Sequence, residues 1–197
     1  VHKVTIIPRG RALGVTMSLP EKDRYSYDRE YMLNQISMLF GGRIAEEIFM
    51  HQMSTGASND FERATKLARD MVTRYGMSDA LGTMVYAGNE QDSFFGSMSS
   101  KTVSEATQQK VDAEIRRILD EQYGLARKLL EDNRDKVEAM TAALMEYETI
   151  DADQINDIMA GIAVRPPKPT QSKASPPKDS GPGELGASPA AQPTAKT

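Results

Sequence analysis

Ser54-Thr55-Gly56-Ala57-Ser58-Asn59-Asp60-Phe61-Glu62-Arg63-Ala64-Thr65 is the stretch from which the rest of this 197-residue chain is read. Its first half is small and polar. Its second half opens a strongly patterned helix: Phe61, Ala64, Ala68, Met71 and Tyr75 recur at intervals of three and four, one face of an α-helix, and Gly76 supplies a stop. An acidic residue at the start of such a helix has three uses. Asp60 can cap it by accepting free backbone N–H groups, complement the helix dipole, or project toward a cation such as a metal ion. Spacing alone favours the first two, because Asp and Asn are the ordinary residues of helix starts.

Upstream, Leu33, Ile36, Phe40, Ile44 and Ile48 mark another helical face, beginning near Asp28. Gly41-Gly42 lies inside that helix. A glycine there costs ~1 kcal/mol relative to alanine, so the pair reads either as close approach of a neighbouring backbone or as a tolerated kink. Glu46 and Glu47 are adjacent carboxylates on the same helix and read as a solvated face. Glu46, however, lies only 14 residues before Asp60, so antiparallel pairing of the two helices would bring these acids near one another. Further upstream, Lys3-Val4-Thr5-Ile6-Ile7 is β-branched and reads as a strand, Pro8-Arg9-Gly10-Arg11 as a turn, and Gly14 to Leu19 as a second strand closed by Pro20. Such a hairpin needs helices to pack against.

Downstream, residues 76–101 carry Gly76, Gly82, Gly88 and Gly96 and one short apolar piece, Met84-Val85-Tyr86, which predicts a long loop with a short strand. A long helix is expected over 102–132, with Thr102 and Glu105 at capping-box spacing and a length of about 45 Å. Its seam is Val111, Ile115, Ile118, Gln122, Ala126 and Leu129, apolar except at Gln122. Asn133 is placed to cap a further helix with the face Val137, Met140, Leu144 and Tyr147. Asp151 and Gln154 form a second capping box, with Ile150 and Ile155 placed as a hydrophobic staple, and the last helix ends near Gly161. From there on the chain holds eight of its ten prolines, amid Ser, Ala, Gly and Lys, a composition that offers no core and predicts disorder. The expected architecture is mainly α: about five helices with a small N-terminal β-hairpin in a domain over 1–161, then a disordered tail over 162–197.

Composition narrows the function classes. The net charge of −4 hides an asymmetry: residues 161–197 carry +3, so residues 1–160 carry −7. An acidic body argues against nucleic acid as a partner. There is no cysteine, hence no disulfide and no thiolate zinc site. No apolar run approaches a membrane span, and no targeting signal opens the chain, so it reads as soluble as written. It begins with Val1 rather than Met and reads as a fragment or processed product. The 12 methionines sit mostly at apolar helical positions, as core fillers. Two histidines occur, His2 and His51, with no second His four residues from either. There is thus no His-Glu-x-x-His helix, no Ser/His/Asp or Cys/His arrangement, and no Gly-x-x-x-x-Gly-Lys-Ser/Thr loop. On residues alone the chain is a helical domain with an unexplained acidic helix start.

Six blocks add to this: Val4-Thr5-Ile6-Ile7-Pro8-Arg9-Gly10, Ala12-Leu13-Gly14-Val15-Thr16, Leu39-Phe40-Gly41-Gly42-Arg43-Ile44-Ala45-Glu46-Glu47, Ser54 to Asp60 with Ala64-Thr65, Tyr75-Gly76-Met77-Ser78, and Tyr147-Glu148-Thr149-Ile150. In this order they resemble the C-terminal part of the peptidase domain of FtsH-type proteins, the membrane-anchored ATP-dependent zinc metalloproteases. The match runs from Val1 to about Arg165, and the Pro-rich tail lies outside it. In that family zinc is held by two His of a His-Glu-x-x-His helix and by an Asp, and the Glu between the His is the general base. The resemblance places the metal Asp on Asp60, and the spacing of Glu46 to it makes Glu46 a candidate supporting carboxylate. It makes Gly14, Val15, Thr16 and Met17 the edge strand beside which an extended substrate lies. The His-Glu-x-x-His helix is expected to precede Val1, so no catalytic base is expected within this chain. ATP and magnesium would belong to an ATPase domain further upstream. The implied whole is a homohexamer acting on polypeptides at the cytoplasmic face of the cell's inner membrane, anchored through N-terminal segments. The competing reading is a non-catalytic helical module for assembly or polypeptide binding, derived from such a protease. The presence or absence of His-Glu-x-x-His upstream of Val1 separates the two.

Overall fold

The structure is a computed structural model that describes residues 1–8, 10, 13–19, 26–86 and 103–167. The expectations on Thr102, on the middle of the first turn, on the 87–101 part of the long loop and on the tail from 168 onward fall outside these residues.

Among the described residues, three long helices build the main core. Helix α1 spans Arg29–Ala45, capped by Asp28, whose carboxylate accepts the Tyr31 N–H at 2.7 Å. It continues into a π-helical turn, Glu46–Met50. Helix α2 spans Ser58–Thr73 and helix α3 spans Glu105–Asp132. α1 packs on both α2 and α3, and α2 packs on α3. Ile36, Leu39, Phe40 and Ile44 of α1 meet Ala64, Ala68, Met71 and Val72 of α2 and Val111, Ile115, Ile118 and Ala126 of α3. The predicted seams are therefore buried along their middles, while Phe61, Tyr75 and Leu129 at their ends are exposed. Gln122, the one polar residue in the α3 seam, is buried with its carbonyl accepting the Ser37 hydroxyl at 2.8 Å, so burial leaves it paired.

A smaller cluster lies at the other end of the chain. Helix α4 spans Arg134–Tyr147, and helix α5 spans Ala152–Ala160. Ala143, Ile150 and Ile158 are buried there, with Val4, Met140, Leu144, Tyr147, Ile155 and Val164 packed around them. The Asp151 and Gln154 capping box forms as expected, with reciprocal bonds of 3.0 Å. The strands are β1 (Lys3–Thr5), β2 (Val15–Met17) and β3 (Thr149–Asp151), antiparallel in the order β2-β1-β3. The expected hairpin is thus the larger part of a three-stranded sheet. Gly14 lets the start of β2 approach β1 closely, since a Cβ there would lie 2.7 Å from the Thr5 carbonyl oxygen.

Several local expectations are corrected. Helix α3 is capped by Ser104, which accepts the Thr107 N–H at 3.3 Å, so its start falls two residues after the expected Thr102. Asn133 links α3 to α4 without capping; its amide bonds back to the Leu129 carbonyl at 2.9 Å. Met84-Val85-Tyr86 forms no strand. The Tyr86 N–H instead donates to the Thr73 carbonyl at 2.8 Å, folding the segment onto the end of α2. Nothing lies within 4 Å of a Cβ built on Gly41 or Gly42, so close backbone approach among the described residues does not explain the pair. The expected body end at Gly161 leaves out residues that pack back on α5. Arg165 donates twice to the buried Asp157 carboxylate at 2.6 Å, and its carbonyl accepts from Gln154 at 3.0 Å.

Candidate metal centre

The Ser54–Phe61 segment carries Asp60 across from the end of α1 into the first turn of α2. Residues 55–57 make one 3₁₀ turn before α2 begins at Ser58. Ser54 caps that turn, its Oγ accepting the Gly56 N–H at 3.2 Å. The N-cap of α2 is Ala57, and no side chain caps the helix. Asp60 therefore sits inside the first turn rather than at the cap. Its half-buried carboxylate has no hydrogen-bond or ion-pair partner among the described residues. Of the three uses of a carboxylate at this place, capping is removed. The helix dipole and a cation remain.

Glu46 goes to the loop, not to Asp60. Its two oxygens accept the Ser54 hydroxyl at 2.5 Å and the Ser54 N–H at 3.1 Å. These bonds, with the Arg43 charge beside them, hold the Glu46 carboxyl below the usual carboxylate range. Arg43 adds a second hold: its Nη2 donates to the Ser54 carbonyl at 2.6 Å, and its guanidinium lies over the Phe61 ring with Cζ 5.3 Å from the centroid. The neighbouring Glu47 turns to the opposite side, where it accepts the Tyr123 hydroxyl at 2.5 Å and pairs with Arg127, both on α3. Burial, and then the Glu47 bond, push the Tyr123 hydroxyl above the usual tyrosine value. Adjacent side chains on a helix point about 100° apart, so the two carboxylates serve two different elements.

The sequence marks Glu46 as a candidate and Glu47 as part of a solvated face, which these pairings correct, and it gives no role to Arg43, Tyr123 or Arg127. The i, i+3 spacing of Arg43 and Glu46 was a visible sign. The Glu47 pairings cross 76 and 80 residues of chain and leave no local sign.

Among the described residues no three His, Cys, Asp or Glu side chains come together in a way that could hold a metal ion. The donor set fits a metal centre only in part: Asp60 offers one unengaged anionic oxygen ligand, and structural or catalytic zinc takes three or four protein ligands. Residues 14–17 lie well apart in the chain order, on the outer strand of the sheet. Among the described residues β2 pairs with β1 on one side only, and Thr16 and Met17 are exposed.

The family model of peptidase family M41 matches residues 1–158. The chain belongs to peptidase family M41. The M41 chain is 71% identical over 175 residues to the ATP-dependent zinc metalloprotease FtsH of Cupriavidus metallidurans, an alignment covering 89% of the chain and 27% of that relative. It is 48% identical over 183 residues to the FtsH of Magnetococcus marinus, covering 90% and 27%, and 51% identical over 172 residues to that of Acidobacterium capsulatum, covering 86% and 27%. The chain spans about a quarter of the length of these relatives. No helix among the described residues of this M41 chain is long and apolar enough to cross a membrane.

Proposed function

We propose that this chain is the C-terminal part of the peptidase domain of an ATP-dependent zinc metalloendopeptidase, and that Asp60 is one of its zinc ligands. The observation that carries the reading is the unengaged, half-buried Asp60 carboxylate in the first turn of α2, after a loop held by Ser54 and Glu46. A carboxylate left without a partner beside a fixed loop is what a ligand awaiting a cation requires. The two His ligands and the general base would come from a His-Glu-x-x-His helix preceding Val1 in the complete protein. Bound zinc in such a site acts as a Lewis acid that makes a water nucleophilic near neutral pH.

The chain's own residues then have separable tasks. Asp60 supplies an anionic oxygen. Glu46 and Ser54 hold the backbone that leads to it. β2 offers its unpaired backbone groups to an extended polypeptide, which recognises unfolded chains with little regard to sequence. Gly14, Val15, Thr16 and Met17 are the residues of that contact. The relatives' names support zinc and proteolysis. The complete protein in this reading is a membrane-anchored homohexamer at the cytoplasmic face, with ATP and magnesium on an upstream ATPase domain.

Asp60→Asn in the complete protein tests the reading. Asn is nearly isosteric and serves helix starts as well as Asp, so a merely structural Asp60 makes the substitution silent. We expect loss of zinc by elemental analysis and loss of casein cleavage by at least about 100-fold, of the order seen when a metal site fails, with the melting midpoint retained. Full zinc and full activity in a folded variant would remove the assignment.

A further inference from the structure

We propose that Arg43 is a positioning residue for Asp60, holding both ends of the Ser54–Phe61 segment that presents the carboxylate. The proposal rests on the reading of Asp60 as a zinc ligand.

Three observations carry it. First, Arg43 touches the segment at its two ends by two different parts of one planar group. The Nη2 edge donates to the Ser54 carbonyl at 2.6 Å, and the guanidinium carbon lies over the ring of Phe61, the residue directly after Asp60, 5.3 Å from its centroid. A guanidinium does both at once because its donors lie in the plane and its π face lies above it; an ammonium has no such face. Second, Phe61 also meets Phe40, one turn before Arg43 on α1. The two rings lie 5.6 Å apart, and the Phe40 ring lies 5.2 Å from that of Tyr123. Phe40 and Arg43 together hold the Phe61 ring against α1, and with it the first turn of α2. Asp60 shares that turn, so its Cα–Cβ direction is set by the same contact. Third, Arg43 gives up a better ion pair to do this. Its side chain is only 14% exposed and its Nε lies 3.7 Å from Glu46 Oε2, too far for a hydrogen bond, and that Nε is a buried donor without a partner among the described residues. A guanidinium placed for Glu46 alone would close that gap. Its position follows the loop and the ring instead.

The core beneath is independent of these contacts. Ile36, Ile44, Ala64, Ala68 and Met71 are buried against one another and none of them meets the guanidinium in a polar contact. Removing the clamp therefore loosens the loop and the first turn that present Asp60, while leaving the helices packed.

The test uses the complete protease with Arg43→Met and Arg43→Lys, beside Asp60→Asn. Zinc affinity by competition with a chelator, and the visible absorption of the cobalt(II)-loaded protein, read the ligand without reference to activity. We expect Arg43→Met to weaken zinc binding by about 10–100-fold, the range for residues that orient metal ligands, and to shift the cobalt bands. Arg43→Lys, which keeps a charge and a donor but no planar face, falls between Arg43→Met and the parent. Parental zinc affinity and parental cobalt bands in both Arg43 variants, with metal lost in Asp60→Asn, would overturn the proposal and leave the ligand assignment standing. Full zinc in Asp60→Asn would overturn the ligand assignment itself, and the proposal with it. Should Arg43→Met fail to fold, Arg43→Lys decides on the same readouts: a several-fold weakening supports the clamp, and parental affinity ends it.

Discussion

At the scale of single residues, Glu46, Glu47, Glu114 and Asp157 are each committed to named partners, whereas Asp60 has none among the described residues. Glu114 is the clearest structural case. It sits buried on α3, accepting the Ser78 hydroxyl at 3.0 Å and two Arg117 bonds at 2.7 and 2.9 Å, and so pins the turn after Gly76 to the bundle. The groups around it are Arg117, which also pairs with Glu121, and Arg29, which pairs with Asp79. The Arg117 bonds hold its carboxyl below the usual glutamate range. The unfolded chain therefore takes up this proton at higher pH than the folded one, and the stabilisation is fully present above the ordinary glutamate value of about 4.3. It is lost as acidification carries the pH down through the lower folded value. Glu114→Gln should cost about 1–3 kcal/mol at pH 7, the scale of hydrogen bonds to a charged group. The gap between variant and parent melting midpoints should narrow as pH falls below about 4. A gap that is constant from pH 7 to pH 3 would show that ionisation of Glu114 contributes nothing. The i, i+3 spacing of Glu114 and Arg117 is legible in the sequence, but the Ser78 bond is not, because Ser78 and Glu114 lie 36 residues apart and nothing in either neighbourhood marks the pairing.

At the scale of elements, the readings that succeeded rest on repetition. α2 and α3 repeat an apolar residue over four or more turns, and burial then follows from the period whatever the neighbours are. The Asp151 and Gln154 box was legible because its partners are three residues apart. What escaped lacks period or locality. β3 is three residues long and abuts the capping box, so the helix-start signal covered it. The π-helical turn follows α1 without a break in the apolar pattern through Ile48. The edge-strand role comes from resemblance; among the described residues β2 is an outer strand in the order β2-β1-β3. Its use makes a prediction that separates two faces of one strand. Along an antiparallel strand, successive N–H groups point alternately to the paired and the open side. Val15→Pro and Thr16→Pro in the complete protein therefore remove donors facing opposite ways, since proline has none. The variant that removes the inward donor should lower the melting midpoint. The other should keep it, keep ATP hydrolysis, and lose most casein cleavage. Casein cleavage unchanged in both variants would discard substrate pairing on β2.

At the scale of the whole molecule, the two apolar clusters divide the labour. The α1, α2 and α3 bundle carries the Asp60 loop at the end of α1, and α4, α5 and the residues up to Pro167 support the sheet that holds β2. Each candidate contact is thus mounted on a packed scaffold, which is how ligands and substrate edges are kept in position. The same division explains why this chain should be folded yet metal-free by itself. Folding draws on the two cores, neither of which includes a metal ligand. Zinc binding draws on a ligand set of which the described residues bring together no trio. With one carboxylate in place of three or four ligands, affinity falls far below that of a structural or catalytic zinc site. Residues 1–197, purified and dialysed against metal-free buffer, should therefore show helical circular dichroism and a cooperative melt, less than about 0.1 zinc per chain, and no casein cleavage; added zinc should leave the melting midpoint unmoved, because a ligand that binds the folded state tightly would raise it. Extending the same chain upstream to include a His-Glu-x-x-His segment should bring zinc to one per chain and make the midpoint rise with zinc. Tight one-to-one zinc in residues 1–197 would mean that a complete ligand set lies within this chain and that the upstream ligands are not required.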